Sequence, residues 1–158
     1  VNFFSSNIWI GMTVFTLCSA SFGPLLAIVM LEMDENDGFT ALKIVLIVTL
    51  LTGLIGYGDF YSFSQNSIFG ATLCLSLFGL LIFHFVRFFK DFSRNTVKAA
   101  AIFGSMLFSL FLLYDFNLIK IQEGALGSND WGTAMRMAFI LYLDIINLLL
   151  DILEAMGD

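Results

Sequence analysis

Near its C-terminus the chain reads Leu141-Tyr142-Leu143-Asp144-Ile145-Ile146-Asn147-Leu148-Leu149-Leu150. This run belongs to a predicted helix over about 132–155, which is long enough to cross a bilayer because about 20 mostly apolar residues span the hydrocarbon core. An ionised carboxylate near the centre of such a helix costs about 3 kcal/mol or considerably more. At about 100° per residue, one helical face carries four polar residues, Asp144, Asn147, Asp151 and Glu154. We therefore expect the last helix to direct this polar face toward a protein interior.

The composition is that of a membrane protein. Of the 158 residues, 59% are hydrophobic and 13% are charged, whereas soluble domains are about 45–50% apolar and about 25% charged. Apolar runs predict five transmembrane helices, over about 8–31, 39–57, 66–89, 97–123 and 132–155, in a single domain covering residues 1–158. The predicted fold class is thus an all-α, multi-pass integral membrane protein whose immediate partner is the lipid bilayer.

The charge distribution argues against nucleic acid as a partner and predicts how the chain is oriented in the membrane. The net charge of −6 leaves no basic surface for nucleic acid. Four of the seven basic residues lie in the segment Arg87–Lys98, which the positive-inside rule places on the cytoplasmic side. Because one more helix pair follows, the C-terminus is predicted to lie on that same side.

Two features of the apolar runs are interpreted structurally. Gly23 and Pro24 predict a kink in the first helix, because proline removes a backbone donor and clashes with the preceding turn. Cys18 and Cys74 lie far apart in apolar runs and lack a redox or metal-binding spacing. They are predicted to be small buried hydrophobic residues.

Two polar features also have a structural interpretation. The acidic segment 32–38 lacks the spaced ligands of a twelve-residue calcium loop, so a solvated turn is preferred. His84, the single histidine, lies near a helix end with Arg87 three residues later. An interfacial position is favoured for it over a role in carrying protons.

A second acidic residue, Asp115, lies in the apolar part of the predicted fourth helix. If that helix ends at Gly124, Asp115 and Asp144 lie about 14 and 18 Å from the connection between the last two helices. Helices joined by a short connection are commonly antiparallel neighbours, so the two carboxylates are expected to face each other. Two desolvated carboxylates in contact cannot both stay ionised at low cost, and they would titrate as a coupled pair.

Such a pair can hold a proton, bind a cation such as Ca²⁺ when it is deprotonated, or change helix packing with pH. We predict that Asp115 and Asp144 bind protons or ions and form a candidate calcium site. The alternative is structural: Asp115 hydrogen-bonds nearby backbone while Asp144 pairs with a basic residue. Arg136, about 12 Å away along the same helix, is too distant for that role. Further polar residues are candidates for an ion path, namely Asn117, Asn147, Asp151 and Glu154, of which the last two can equally be hydrated positions.

Two motifs resemble those of the Bax inhibitor-1 family, also called the transmembrane Bax inhibitor motif family. Leu113-Tyr114-Asp115-Phe116-Asn117-Leu118-Ile119-Lys120 is similar to its penultimate-helix motif, and Leu141-Tyr142-Leu143-Asp144-Ile145-Ile146-Asn147-Leu148-Leu149 is similar to its last-helix signature. Gly23-Pro24 resembles part of its third-helix motif. The resemblance implies a seven-helix bundle with the last helix central, of which this chain would supply helices three to seven. It also implies a pH-sensitive Ca²⁺ leak and, in eukaryotes, protection from cell death.

By this resemblance Asp115 and Asp144 correspond to the family's two-aspartate proton sensor and Ca²⁺ site. The chain departs from the family in beginning at the third helix. An arginine on the second family helix, which can bind the aspartates, therefore has no counterpart.

The leading hypothesis is a pH-sensitive leak channel or transporter for cations, specifically calcium, gated by the aspartate pair and needing no cofactor other than the calcium ion. The alternative is a non-conducting membrane subunit, or a cell-death or stress regulator, that packs against helices of partner membrane proteins. An enzyme is not predicted, because HExxH, GxSxG and paired-histidine motifs are absent. Neither aspartate is followed by the glycine expected in intramembrane aspartyl proteases.

Overall fold

A computed structural model describes residues 8–31, 33–58, 60–126 and 131–157 of the chain. Its five α-helices are α1 (Ile8–Leu31), α2 (Glu35–Tyr57), α3 (Ser67–Phe89), α4 (Arg94–Leu126) and α5 (Trp131–Met156). A short 3₁₀-helix, Phe63–Gln65, lies between α2 and α3. The described residues form no strand, which confirms the predicted all-α class.

Four helical segments are long and apolar enough to cross a membrane: Trp9–Leu31, Asn36–Tyr57, Ser67–Phe89 and Arg94–Glu123. Their outward faces expose many large hydrophobic side chains, as expected where lipid tails rather than protein surround a helix. The 26-residue helix α5 is not among these four segments. It carries the acidic residues of the polar face and lies inside the bundle. The chain is therefore an integral, multi-pass membrane protein.

The acidic segment 32–38 is partly helical, which corrects the predicted solvated turn. Helix α2 begins at Glu35, four residues before its predicted start, and the amides of Asp37 and Gly38 bond to the Asp34 carbonyl. Acidic residues in a first helical turn are stabilised by the positive end of the helix dipole. Glu32 lies outside the described residues.

Helix α4 is longer than predicted at both ends. Its start at Arg94 follows from Ser93, whose Oγ accepts a hydrogen bond from the Thr96 amide at 3.4 Å. A serine in this position caps the first turn. At the other end the helix continues through Gly124 to Leu126, because one glycine lowers helix stability by about 1 kcal/mol without ending the helix.

Helices α4 and α5 form the centre of the bundle. They pack along each other, and α5 also contacts α1 and α2, while α3 packs on α4. The contact with α1 includes ring pairs such as Phe15 with Tyr142, whose centroids lie 5.3 Å apart. The buried apolar cluster draws on four helices: Ala41, Val45, Leu73, Leu80, Leu107, Phe108, Leu112, Leu148, Leu149, Ile152 and Leu153. The last helix is thus central, as predicted.

Two expectations about the outer helices can be compared with the structure. Helix α1 is continuous through Pro24, and a Cβ added to Gly23 would meet no atom within 4 Å. No other described helix therefore packs closely on that glycine. Cys18 and Cys74 are both free, but Cys18 is only partly buried and Cys74 is exposed, so the prediction that both are buried is wrong. An apolar run in a membrane helix does not distinguish a protein-facing from a lipid-facing position.

Candidate functional site

The described part of the chain buries four polar or charged side chains, and all four lie on the central helices. Asp115 and Asn117 belong to α4, and Asp144 and Asp151 belong to α5. Seven residues separate the two α5 aspartates, which corresponds to two helical turns and about 10 Å along the axis. The polar face of α5 therefore carries two separate groups of polar residues, a first centre around Asp144 and a second centre around Asp151.

The first centre is the pair of Asp115 and Asp144, two buried carboxyl groups that lie in contact across the α4–α5 interface. A hydrogen bond between them would need a proton on one of the two groups, because an ionised carboxylate can only accept. Oδ2 of Asp144 has no hydrogen-bond partner. Among the described residues no basic side chain forms an ion pair with Asp144, which disfavours the structural alternative for this residue.

A layer that contains two buried leucines beside Asn147 lies between the first centre and the second. Leu112 precedes Asp115 by about one turn, and Leu148 follows Asp144 by about one turn, so in these antiparallel helices both lie on the side facing Asp151. The two leucine side chains are fully buried. Water or an ion moving between the two centres would have to pass this layer.

Asn117 has a different environment from the other ion-path candidates. Its Oδ1 accepts hydrogen bonds from the amide and hydroxyl of Ser64, at 3.0 and 2.9 Å. Its Nδ2 donates to the carbonyls of Gly56 and Tyr61, at 3.0 and 3.1 Å. Both N–H groups and both acceptor sites of the amide are thus occupied. Asn117 joins α4 to the end of α2 and to the connection that follows.

The second centre lies at the C-terminal end of α5, where Asn147, Asp151 and Glu154 line a cavity of about 570 Å³. The Asp151 carboxyl group lies against α4 at Gly104, where a Cβ would come within 2.8 Å of Cγ. Glycine therefore leaves the space that the carboxyl group occupies. Oδ2 of Asp151 has no hydrogen-bond partner.

Two arginines bind the end of α5 beside this cavity. Arg87 of α3 forms an ion pair with Glu154 through Oε1. Arg94 of α4 donates to the backbone carbonyls of Glu154 and Gly157. Positive charge at a helix C-terminus is favourable because the last carbonyls are unpaired and carry partial negative charge.

The sequence reasoning did not assign His84 or Gly104 to a site. His84 lines the same cavity, and one nitrogen of its ring and one carboxylate oxygen each of Asp151 and Glu154 lie within 4.8 Å of one another. Asp115 and Asp144 do not belong to this group of potential metal ligands. Only a weak sequence signal pointed to this site. By their spacing, His84 and Arg87 share one face of α3, and Asp151 and Glu154 share one face of α5.

Comparisons with known proteins agree with the motifs. The family model described as "Inhibitor of apoptosis-promoting Bax1" matches residues 3–158. The uncharacterized protein YrjE of Lactococcus lactis is 26% identical over 152 residues, which cover 96% of this chain and 63% of that protein. The uncharacterized protein RP147 of Rickettsia prowazekii is 26% identical over 125 residues, covering 76% of this chain and 52% of that protein. The chain thus spans between half and two thirds of the length of these relatives.

Proposed function

Because this chain belongs to the Bax inhibitor-1 family, we propose that it conducts cations, with Ca²⁺ as the principal ion, under control of the proton held by Asp115 and Asp144. The observation that carries the proposal is the direct contact of these two buried carboxyl groups across the α4–α5 interface. In this proposal the shared proton joins the two central helices, and its loss changes their packing.

The electrostatic cost of losing the proton is large enough for a switch. Two unit charges about 4 Å apart repel by about 4 kcal/mol at an effective dielectric constant of about 20. Moving a two-state equilibrium from about 1:99 to about 99:1 requires about 5.5 kcal/mol. Deprotonation can therefore supply most of the free energy that a change in helix packing needs, provided that the helices separate or a cation enters between the carboxylates.

The carboxylate oxygens of Asp115 and Asp144 suit a hard divalent cation as the transported ion. Carboxylate oxygens are ligands that Ca²⁺ prefers, but Ca²⁺ takes about 6–8 oxygens. Asp115 and Asp144 would supply some of these, and water or backbone carbonyls would supply the others. A transient, incomplete coordination shell is consistent with passage of an ion rather than with tight storage.

The proposed path joins the two centres of α5. It runs from the cavity beside Asn147 and Asp151, through the layer formed by Leu112 and Leu148, to the aspartate pair. With the pair protonated, the leucine layer excludes water. Separation of α4 from α5 after deprotonation opens this layer, so flux is expected to rise with pH.

The test is Ca²⁺ flux into liposomes that contain the purified chain, measured over a series of pH values. We expect Asp115→Asn and Asp144→Asn to abolish most of the pH response, because an amide keeps a hydrogen bond but cannot titrate in this range. The matched control is Asp91→Asn, which removes an exposed carboxylate between α3 and α4. Unchanged flux and pH response in both pair variants would reject the mechanism. Absence of flux together with a stoichiometric membrane partner in mild detergent would favour the subunit alternative.

A further inference from the structure

Three side chains from two helices converge on one wall of the cavity at the end of α5. They are His84 from α3 and Asp151 and Glu154 from α5, and each offers one ligand atom within 4.8 Å of the other two. The set combines one imidazole with two carboxylates. Three protein ligands with one open position are typical of exchangeable zinc sites.

The contact between His84 and the backbone of α3 leaves one ring nitrogen for a ligand role. Its Nδ1 lies 3.1 Å from the Leu80 carbonyl oxygen one turn earlier in α3. Because a carbonyl can only accept, this contact places the proton on Nδ1 and leaves the lone pair on Nε2. Metal-binding histidines commonly donate their other ring N–H to a carbonyl in this way, which fixes both tautomer and ring orientation.

Asp151 supplies an independent indication of a missing ligand. Its side chain is only 7% exposed, it lines the cavity, and its Oδ2 has no hydrogen-bond partner. A buried polar atom without a partner is costly, and such atoms are rare in native proteins. A cation bound in the cavity would remove this cost.

The neighbouring arginines leave at least one oxygen of each carboxyl group for a ligand. Arg87 contacts Glu154 through Oε1, and the second carboxylate oxygen can still bind an ion. Arg94 is bonded to backbone carbonyls at the end of α5. The positive charges of both arginines weaken the attraction of the site for a cation. Coordination bonds to the three side chains, and not charge attraction alone, must therefore hold the ion.

From this geometry we propose that His84, Asp151 and Glu154 bind a first-row divalent transition ion, with Zn²⁺ as the representative. Imidazole nitrogen favours such ions over Ca²⁺ and Mg²⁺, which prefer oxygen ligands alone. Ligand atoms around tetrahedral zinc lie about 3.3 Å apart, given zinc–ligand bonds of about 2.0–2.1 Å. Binding therefore requires ligand atoms that now lie up to 4.8 Å apart to close by up to about 1.5 Å, and the cavity gives them room. This site is distinct from the aspartate pair of the proposed function.

The experiment uses the purified, tag-free chain in detergent, since a histidine tag would bind the same ions. Co²⁺ serves as the spectroscopic probe for Zn²⁺, because its visible absorption reports coordination by protein ligands. We expect one Co²⁺ per chain, displaced by Zn²⁺ and not by a large excess of Ca²⁺. His84→Ala and Asp151→Asn should each weaken Co²⁺ binding at least about tenfold, as loss of one ligand does in known sites.

Two controls separate coordination from other effects. Asp91→Asn removes an exposed carboxylate outside both centres and should bind Co²⁺ like the wild type. Arg87→Gln breaks the ion pair but keeps all three ligands, and should bind at least as tightly. Circular dichroism and gel filtration verify that each variant remains folded. Absence of Co²⁺ binding by the wild type, or equal binding by folded His84→Ala and Asp151→Asn, would overturn the proposal, as would loss of binding in Asp91→Asn.

Discussion

The close packing of α2 against α4 leads to a quantitative prediction for Gly56→Ala. A Cβ at position 56 would lie 2.6 Å from the Leu113 carbonyl oxygen, 2.9 Å from the Phe116 Cβ and 3.2 Å from the Asn117 amide nitrogen. Two of these atoms belong to the backbone of α4, so no side-chain rotation can relieve the contacts. Accommodation of the methyl group requires the two helices to separate by about 1 Å, since favourable contact begins near 3.5 Å.

Separation by this amount has two costs. Overpacking of this kind costs about 1–3 kcal/mol. The hydrogen bond from Asn117 Nδ2 to the Gly56 carbonyl, now 3.0 Å, would lengthen beyond useful range and lose about 1 kcal/mol. The higher helix propensity of alanine returns about 1 kcal/mol. We expect a net destabilisation of about 1–3 kcal/mol.

The matched control is Gly79→Ala in α3, where a Cβ would meet no atom within 4 Å. This variant gains the helix propensity without the steric cost, so it should be unchanged or more stable by up to about 1 kcal/mol. The difference between the two variants, about 1–4 kcal/mol, isolates the contact at Gly56. Reversible unfolding in mixed detergent, followed by circular dichroism, measures both. Equal stability of the two variants would refute the reasoning, because it would mean that α2 and α4 do not approach closely at this glycine.

Three further predictions concern the polar contacts. Asn117→Ala removes four hydrogen bonds and leaves the Gly56 and Tyr61 carbonyls without this partner, so the unfolding free energy should fall by about 2–4 kcal/mol; a change below about 0.5 kcal/mol in detergent unfolding would contradict this role. Arg87→Gln breaks a partly exposed ion pair and should change stability by at most about 1 kcal/mol, with an effect that decreases in high salt; a larger, salt-independent loss would show that the pair is effectively buried. Gly104→Ala displaces the Asp151 carboxyl group, and Co²⁺ titration should show binding weakened at least about tenfold. In the same variant the melting temperature should change little, because the Asp151 side chain can rotate away from the added methyl group and from the other two ligands; unchanged Co²⁺ binding would be inconsistent with the proposed metal site.

The sequence was sufficient to predict that Asp115 and Asp144 are buried on two neighbouring helices. Each residue interrupts an apolar run, and a carboxyl group in such a run must find a protein interior. The short connection makes α4 and α5 neighbours, and the similar distances from it bring the two groups to one depth. These constraints are local in sequence, so periodicity and loop length were enough.

The second centre was not predictable in the same way. His84 is on α3, and its position relative to Asp151 depends on how α3 is rotated about its axis against α4 and α5. Most positions of α3 are apolar, so its sequence barely distinguishes a face toward protein from a face toward lipid. Cys74 on the same helix was placed wrongly for this reason. The start of α4 at Arg94, by contrast, could have been predicted from Ser93, the residue before it.

The central position of α5 follows from the difference between its polar face and the other helices. If α5 were exchanged with an outer helix, Asp144 and Asp151 would face lipid, and each ionised carboxylate would cost about 3 kcal/mol or more. Turning an apolar face of α1 or α3 from protein to lipid costs little by comparison, because lipid tails are as apolar as leucine. The acidic residues therefore determine which helix is enclosed, while close contacts such as the one at Gly56 determine how tightly its neighbours surround it. The side chains that give α5 its place in the bundle are the same ones to which the proton and ion chemistry is assigned, so neutral apolar substitution of these aspartates would remove the chemistry and the orientation of the helix together.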